Sequence, residues 1–138
     1  MAALKEREQK EEKKNSKCWN EESYFSEGLT WSRISTDRFS ARFSQRGCTA
    51  GTTCPIYFPN GNREYILALL NSKVISTIVA FLNPTVSFQA ADIDRIPVII
   101  NNTHLNKVDG MVKQNISESK KDWDSFETSW DFKKHPLV

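Results

Sequence analysis

The clearest hydrophobic pattern in the chain lies between residues 62 and 82. Apolar residues recur there at spacings of three and four positions, so they fall on one face of a helix. These residues are Ile66, Leu67, Leu70, Val74, Ile78, Phe81 and Leu82. Asn83 and Pro84 follow directly, and proline disfavours helical geometry in the residue before it and cannot donate a backbone hydrogen bond. The pattern therefore predicts one amphipathic helix that stops at Asn83-Pro84.

A different pattern precedes this helix. Residues 24–59 mix aromatic, hydroxyl-bearing and arginine side chains, and glycines and prolines interrupt them. Phe39, Ala41 and Phe43 alternate with polar residues, which is typical of a strand that buries one face. We therefore predict short strands and turns in this region.

After the helix, the pattern becomes extended and then helical again. Val86 and Phe88 alternate with polar residues, and residues 97–100 form a second extended apolar stretch. Helical spacing returns over residues 105–116, where Gly110 weakens it. The fold class that we predict is α+β: short antiparallel strands packed on one amphipathic helix, followed by a looser helical tail.

Composition and charge narrow the class of protein. The chain has 138 residues, 38% of them hydrophobic and 26% charged, which suits one small globular domain. The net charge of +2 is too small to indicate nucleic-acid binding by itself. Residues 1–20 are charged and nearly free of apolar side chains, so we expect a flexible lead. There is no secretory signal and no apolar run long enough for a bilayer, so we expect a cytoplasmic protein without a membrane partner.

Catalytic and metal-binding patterns are missing from the sequence. No glycine-rich loop could hold a phosphate chain, and no motif positions a nucleophile beside a base. His104 and His135 are far apart, and Cys48 and Cys54 lack the spacing of zinc ligands. We therefore predict no catalytic residue and no metal site, and we interpret the cysteines as buried or incidental thiols.

Arginines supply the positive signal. Arg33, Arg38, Arg42 and Arg46 are interleaved with aromatic residues, and arginine both contacts phosphates and reads guanine edges. The alternative is that these arginines only solvate the surface of a small domain. Lys73, in the polar interruption Asn71-Ser72-Lys73, could face DNA, or the interruption could cap the helix against a neighbouring strand. The candidate DNA-binding residues are Trp31, Ser32, Arg33, Arg38, Arg42, Arg46 and Lys73.

Several short segments occur in an order that points to a known family. They are residues 27–32 (EGLTWS), 70–74 (LNSKV), 82–89 (LNPTVSFQ), 92–97 (DIDRIP) and 119–132 (SKKDWDSFETSWDF). Together they resemble the target-recognition region of PglX-type adenine-specific DNA methyltransferases of the BREX phage-exclusion systems. The resemblance runs from about Trp19 to the last residue, and the stretch from Arg46 to Pro59 diverges from the family.

The resemblance implies a parent enzyme that transfers a methyl group from S-adenosylmethionine to adenine N6 in DNA. The catalytic loop of such enzymes reads Asn/Asp-Pro-Pro-Tyr/Phe, and its aromatic residue stacks on a flipped base. Here Thr85 and Val86 follow Asn83-Pro84, so the second proline and the aromatic residue are missing. We interpret Asn83 and Pro84, together with Phe88 and Gln89, as a structural motif. The chain is expected to hold no cofactor and to be inactive alone, although whether it counts as an enzyme stays open.

The resemblance also implies a division of the chain and a set of partners. Residues 1–20 would be the charged lead, residues 21–100 a partial DNA target-recognition domain, and residues 101–138 a helical and aromatic extension. The expected partner is double-stranded DNA. The alternative is a protein-docking fragment, or a gene remnant, that binds a separate methyltransferase or another defence-system subunit. Its aromatic residues Trp123, Phe126 and Trp130 would either dock on that partner or pack as a helical stripe within the chain.

Overall fold

A computed structural model describes residues 20–135 and 137. It begins with a short 3₁₀ helix at Glu21–Ser23, and three strands and four α-helices follow. The strands are β1 (Gly28–Trp31), β2 (Ala41–Ser44) and β3 (Ile56–Tyr57). The helices are α1 (Arg63–Leu70), α2 (Lys73–Leu82), α3 (Ala90–Ile93) and α4 (Asn102–Trp123). The predicted α+β class is confirmed, whereas the lead predicted for residues 1–20 lies almost wholly outside the described residues.

The three strands form one antiparallel sheet in the order β2-β1-β3. Leu29 of the central strand lies between Phe43 and Tyr57, and its neighbour Thr30 lies between Arg42 and Ile56. Side chains alternate between the two faces of a strand. Leu29 and Trp31 are therefore on the inner face, where they are buried, and Thr30 and Arg42 share the outer face.

The apolar segment over residues 62–82 folds as two helices, so the prediction of one continuous helix is wrong in this detail. Helices α1 and α2 meet at an angle of 65°. The break lies at Ser72, whose Oγ accepts a hydrogen bond from the Ile75 N–H (3.2 Å) and caps α2. Local capping by serine competes with helix continuation. The predicted stop is confirmed, because α2 ends at Leu82 and Asn83 is its C-cap.

The hydrophobic core lies between the inner face of the sheet and the helices. Its buried residues are Leu29, Trp31, Phe39, Ala41, Ile66, Leu67, Leu70, Ile75, Val79, Phe88, Ile93, Ile96 and Val112. Val112 belongs to α4, which runs for 22 residues through Gly110 and is longer than the helix predicted over residues 105–116. This helix packs along α1, so residues after 100 contribute to the same core as the strands.

Asn83 holds the turn that follows α2. Its Nδ2 donates to the Ser87 carbonyl oxygen (2.7 Å) and to Asp92 Oδ2 (2.6 Å), and its Oδ1 accepts from the Thr85 N–H (3.0 Å). Asp92 Oδ2 also accepts from the Gln89 N–H (3.0 Å), where α3 begins. The Asn83 amide is thus fully engaged within the fold, in keeping with a structural motif.

Candidate nucleic-acid interface

Two distant segments of the chain pair beside the sheet. The Trp31 indole N–H donates to the Phe88 carbonyl oxygen (3.0 Å), and the Phe88 N–H donates to the Arg33 carbonyl oxygen (2.6 Å). The Ser35 N–H donates to the Val86 carbonyl oxygen (2.9 Å). Residues 31–35 are therefore held against residues 86–88, which connect α2 and α3. This contact fixes the start of the loop that leads to Arg38.

Trp31 is a core residue in this arrangement. Its side chain is 2% exposed, and its ring centroid lies 6.1 Å from that of Phe39. Phe39 in turn packs edge-to-face on Phe88, with 5.5 Å between the ring centroids. The proposed contact of Trp31 with DNA stays a prediction, but the burial of the ring favours a supporting role instead.

Arg42 lies on β2, and Arg38 and Arg46 lie before and after that strand in the sequence. All three side chains are exposed. Arg42 lies on the outer face of the sheet, where its guanidinium donates to Ser32 Oγ (3.0 Å). No described carboxylate lies within ion-pair distance of these three arginines. An arginine without a carboxylate partner has guanidinium donors available for a phosphate. We define these three residues as the arginine surface.

The other candidates are placed less favourably. Arg33 is half-buried, and its backbone N–H donates to the Thr53 carbonyl oxygen (2.9 Å). Lys73 is exposed at the first position of α2, on a different element from the arginine surface. Arg63, which was not among the candidates, forms ion pairs with Glu64 and Glu27 (2.7 Å each). The hydrogen bond to Glu64 raises the pKa of Arg63, whose charge is thereby matched within the fold.

A cavity of about 940 Å³ lies along the outer edge of β2, between that strand and helices α1 and α4. We call it the β2 groove. Its apolar lining includes Phe43, Leu67, Ala68, Val112 and Ile116, and Trp123 and Trp130 also line it. Sequence reasoning did not predict this groove, because its lining comes from residues between 30 and 131.

Charged residues at the groove form a closed set of ion pairs. Lys120 Nζ lies 2.6 Å from Asp131 Oδ2 and 3.1 Å from Asp124 Oδ2. The hydrogen bond to Asp131 raises the pKa of Lys120, and the hydrogen bond from Ser129 lowers the pKa of Asp124. The carboxyl groups of Asp124 and Asp131 therefore surround the amino group of Lys120 at the groove.

The aromatic residues after α4 do not form a helical stripe. Helix α4 ends at Trp123, and Phe126 and Trp130 follow in turns. The exposed fractions of Trp123, Phe126 and Trp130 are 58%, 52% and 103%. The alternative in which these residues pack as a stripe within the chain is therefore wrong.

Other candidate chemistry is sparse in the described part of the chain. Cys48 and Cys54 are exposed and unbridged, so they are not buried thiols. Residues 20–135 and 137 contain no group of three or more His, Cys, Asp or Glu side chains that could hold a metal ion. Among these residues no single helix is long and apolar enough to span a membrane; only the bent pair α1 and α2 together meets those criteria.

Asn71 bears on the two interpretations of the polar interruption Asn71-Ser72-Lys73. Its Oδ1 accepts from the Ala41 N–H (3.0 Å), and its Nδ2 donates to the carbonyl oxygens of Ala41 (3.0 Å) and Leu67 (2.9 Å). The side chain therefore joins the end of α1 to the edge of β2. This supports the interpretation as a cap against a neighbouring strand.

Replacing Asn71 by alanine is expected to lower the free energy of unfolding by about 1–2 kcal/mol, because Ala41 loses both partners at a partly exposed edge. Urea unfolding followed by circular dichroism measures the change. The control is Asn115→Ala, at an exposed position that also lines the β2 groove, and it should shift stability by less than about 0.5 kcal/mol. Equal losses in the two variants would contradict a role for Asn71 as the link.

Sequence similarity relates this chain to a segment of known proteins. No protein-family profile matches the chain. The chain is homologous to a segment of adenine-specific methyltransferases, which confirms the predicted resemblance. It is 39% identical over 123 residues to the adenine-specific methyltransferase BrxX of Escherichia coli O9:H4 (strain HS), covering 86% of this chain and 10% of that protein. It is 34% identical over 116 residues to the adenine-specific methyltransferase PglX of Lacticaseibacillus casei (strain Zhang), covering 83% and 10%. The chain thus spans about a tenth of the length of these curated relatives.

Proposed function

We propose that this chain contributes DNA target recognition to an adenine-N6 DNA methyltransferase of the BREX type and does not itself transfer the methyl group. The observation that carries the proposal is the arginine surface. Arg38, Arg42 and Arg46 are exposed and free of described carboxylate partners in a homologue of adenine-specific methyltransferases. Such arginines suit double-stranded DNA, where phosphate contacts position a protein and base contacts specify a sequence.

The geometry around Arg42 supports the same role. The hydrogen bond to Ser32 orients its guanidinium on the outer face of the sheet and leaves most of its donors free. Ser32 is itself anchored, because its neighbours Trp31 and Arg33 are tied to Phe88. A rigid support lowers the conformational entropy lost when an arginine binds a phosphate.

Methyl transfer requires groups that this chain does not offer in its described part. The side-chain amide of Asn83 is engaged by Ser87, Asp92 and Thr85, so it is not available to hold the amino group of an adenine. In this proposal the S-adenosylmethionine site and the catalytic loop lie in another part of the methyltransferase. The aligned segment, a tenth of each relative, leaves ample chain for them.

Fluorescence anisotropy with a random-sequence DNA duplex tests the proposal at low and moderate salt. Binding should weaken steeply with salt, and the variant with Arg38, Arg42 and Arg46 replaced by alanine should bind more weakly. Its log–log salt dependence should be shallower by about 2–3, because each lost phosphate contact removes about 0.9 from the slope.

Arg95→Ala is the matched control, since Arg95 is an exposed arginine that follows α3 and lies outside the arginine surface. It should change the slope by much less than the triple variant. No binding by the folded parent chain at low salt, or the same salt dependence in the parent and the triple variant, would exclude the arginine surface as the DNA contact.

A second candidate function is docking on another part of a methyltransferase or on a defence-system subunit. The exposure of Trp123 and Trp130 favours it, because both line the β2 groove and large aromatic side chains are enriched at protein interfaces. Phe126 is also exposed but does not line the groove.

A further inference from the structure

We infer that the outer edge of β2 binds an extended segment from the remainder of a methyltransferase chain, which adds to the sheet as a fourth strand. The inference rests on the second candidate function and gives it a site and a mode of binding. It does not depend on DNA recognition by the arginine surface.

The backbone of β2 is open on its outer side. Strand β2 is an edge strand, and Asn71 binds both backbone groups of Ala41, which therefore point away from β1. In an antiparallel pair these groups alternate in direction along the strand. The N–H and C=O of Phe43 consequently point to the same outer side, where no described backbone group bonds them. Asn71 caps one end of this edge, and just beyond its other end the Gln45 carbonyl oxygen accepts from the Cys48 N–H (3.4 Å), so Phe43 is the residue of β2 that stays available for pairing.

The β2 groove provides room and chemistry for the side chains of an added strand. Its volume of about 940 Å³ lies beside the open edge, and its walls are Leu67 and Ala68 of α1 and Val112 and Ile116 of α4. In strand addition, main-chain hydrogen bonds provide affinity and pockets accept alternate side chains. An apolar or aromatic side chain on the added strand would therefore fill this groove.

The charges favour a polypeptide over a nucleic acid at this place. Lys120 is already paired with Asp124 and Asp131, and these carboxylates would repel a phosphate backbone. Arg42, one of the proposed DNA contacts, also lines the groove, and its guanidinium donates to Ser32 Oγ (3.0 Å). A peptide backbone, unlike a nucleic acid, offers C=O and N–H groups that can pair with the N–H and C=O of Phe43.

The source of the strand follows from the comparison with relatives. The chain aligns with a tenth of each relative, so the other nine-tenths of such a protein are available to cover this edge. An open edge beside apolar surface promotes aggregation unless another segment covers it. We therefore identify the occupant as an extended segment of the methyltransferase outside the aligned part.

The test uses the full chain and short overlapping peptides tiled over the Escherichia coli relative outside the aligned segment. At least one peptide should bind in fluorescence anisotropy. N-methylation of the peptide amides that face β2 should abolish binding. N-methylation of the intervening amides, which face away from β2, should leave binding intact. Hydrogen exchange at the Phe43 amide should slow at least about tenfold when the peptide is bound, because a formed strand bond protects it.

Two exposed aromatic residues give a matched pair of variants. Trp130→Ala should weaken peptide binding about tenfold, as expected for an aromatic anchor at an interface. Phe126→Ala should leave it unchanged, since Phe126 does not line the groove. Both residues are more than half exposed, so neither variant should unfold the chain.

The outcomes separate this inference from DNA recognition. Replacing Arg38 and Arg46, which do not line the groove, should weaken DNA binding and leave peptide binding unchanged. Failure of every tiled peptide to bind, or binding without the alternating N-methyl effect, would overturn strand addition. If the single variant Trp130→Ala lost duplex DNA binding, the groove would be assigned to nucleic acid, and strand addition would be overturned as well.

Discussion

Replacement of Trp31 by alanine is expected to lower the free energy of unfolding by about 3–5 kcal/mol, the range for removing a large aromatic residue from a core. Trp31 is 2% exposed and packs on Phe39, so its loss leaves a cavity beneath the sheet. It also leaves the Phe88 carbonyl oxygen without the indole N–H. Urea unfolding followed by far-ultraviolet circular dichroism gives the change.

Two further variants divide the effect of Trp31. Trp31→Phe keeps much of the ring but removes the N–H, so it should cost about 1–3 kcal/mol for the unpaired carbonyl and the smaller ring. Trp123→Ala is the control, because Trp123 is 58% exposed, and it should cost less than about 0.5 kcal/mol. A loss for Trp31→Ala no larger than that for Trp123→Ala would contradict the central position of Trp31 in the core.

The fold could be predicted from the sequence where local patterns agree with tertiary packing. The alternation at Phe39, Ala41 and Phe43 predicts a strand, and β2 begins within it. The proline after Asn83 predicts the end of α2 at the observed place. The break at Ser72 could not be predicted from the apolar periodicity, because the periodicity continues across it. The Ser72 side chain caps α2 there, and capping favours a new helix start over a continuous helix.

The candidate sites could be predicted only in part. The arginine surface follows from local spacing on one strand and its flanks, so the sequence predicts its members. The β2 groove requires α4 to pack along α1, which no local pattern encodes. The exposure of Trp130 is likewise set by the turns after α4, because an aromatic residue in a polar tail is compatible with either a buried or an exposed position.

Several residues in the segments that carry the family resemblance form contacts within the fold. Hydrogen bonds join Trp31 to Phe88, Arg63 to Glu27, and Ala41 to Asn71. Arg38, Arg42 and Arg46 lie outside all five segments. The resemblance therefore supports a shared fold more directly than a shared DNA sequence preference, which in our proposal depends on side chains between those segments.

Gly28 is the position where the smallest added group is expected to have a large effect. Gly28→Ala should lower the free energy of unfolding by about 2–3 kcal/mol, the upper part of the range for overpacking. A Cβ at this position would lie 2.6 Å from Ile56 Cγ2 and 2.8 Å from the Tyr57 carbonyl oxygen. The carbonyl oxygen belongs to the backbone, so β3 would have to move away from β1 and give up part of its pairing.

Gly110→Ala is the matched control for this substitution, measured by the same urea unfolding. No atom lies within 4 Å of a Cβ built at Gly110, which is in the interior of α4. Alanine there should raise the free energy of unfolding by about 0.5–1 kcal/mol, because glycine loses more backbone entropy in a helix. The same substitution is thus expected to lower the free energy of unfolding at Gly28 and to raise it at Gly110. A neutral Gly28→Ala variant would show that β3 does not approach β1 as closely as these distances require, and it would weaken the view of the sheet as the rigid support for the arginine surface.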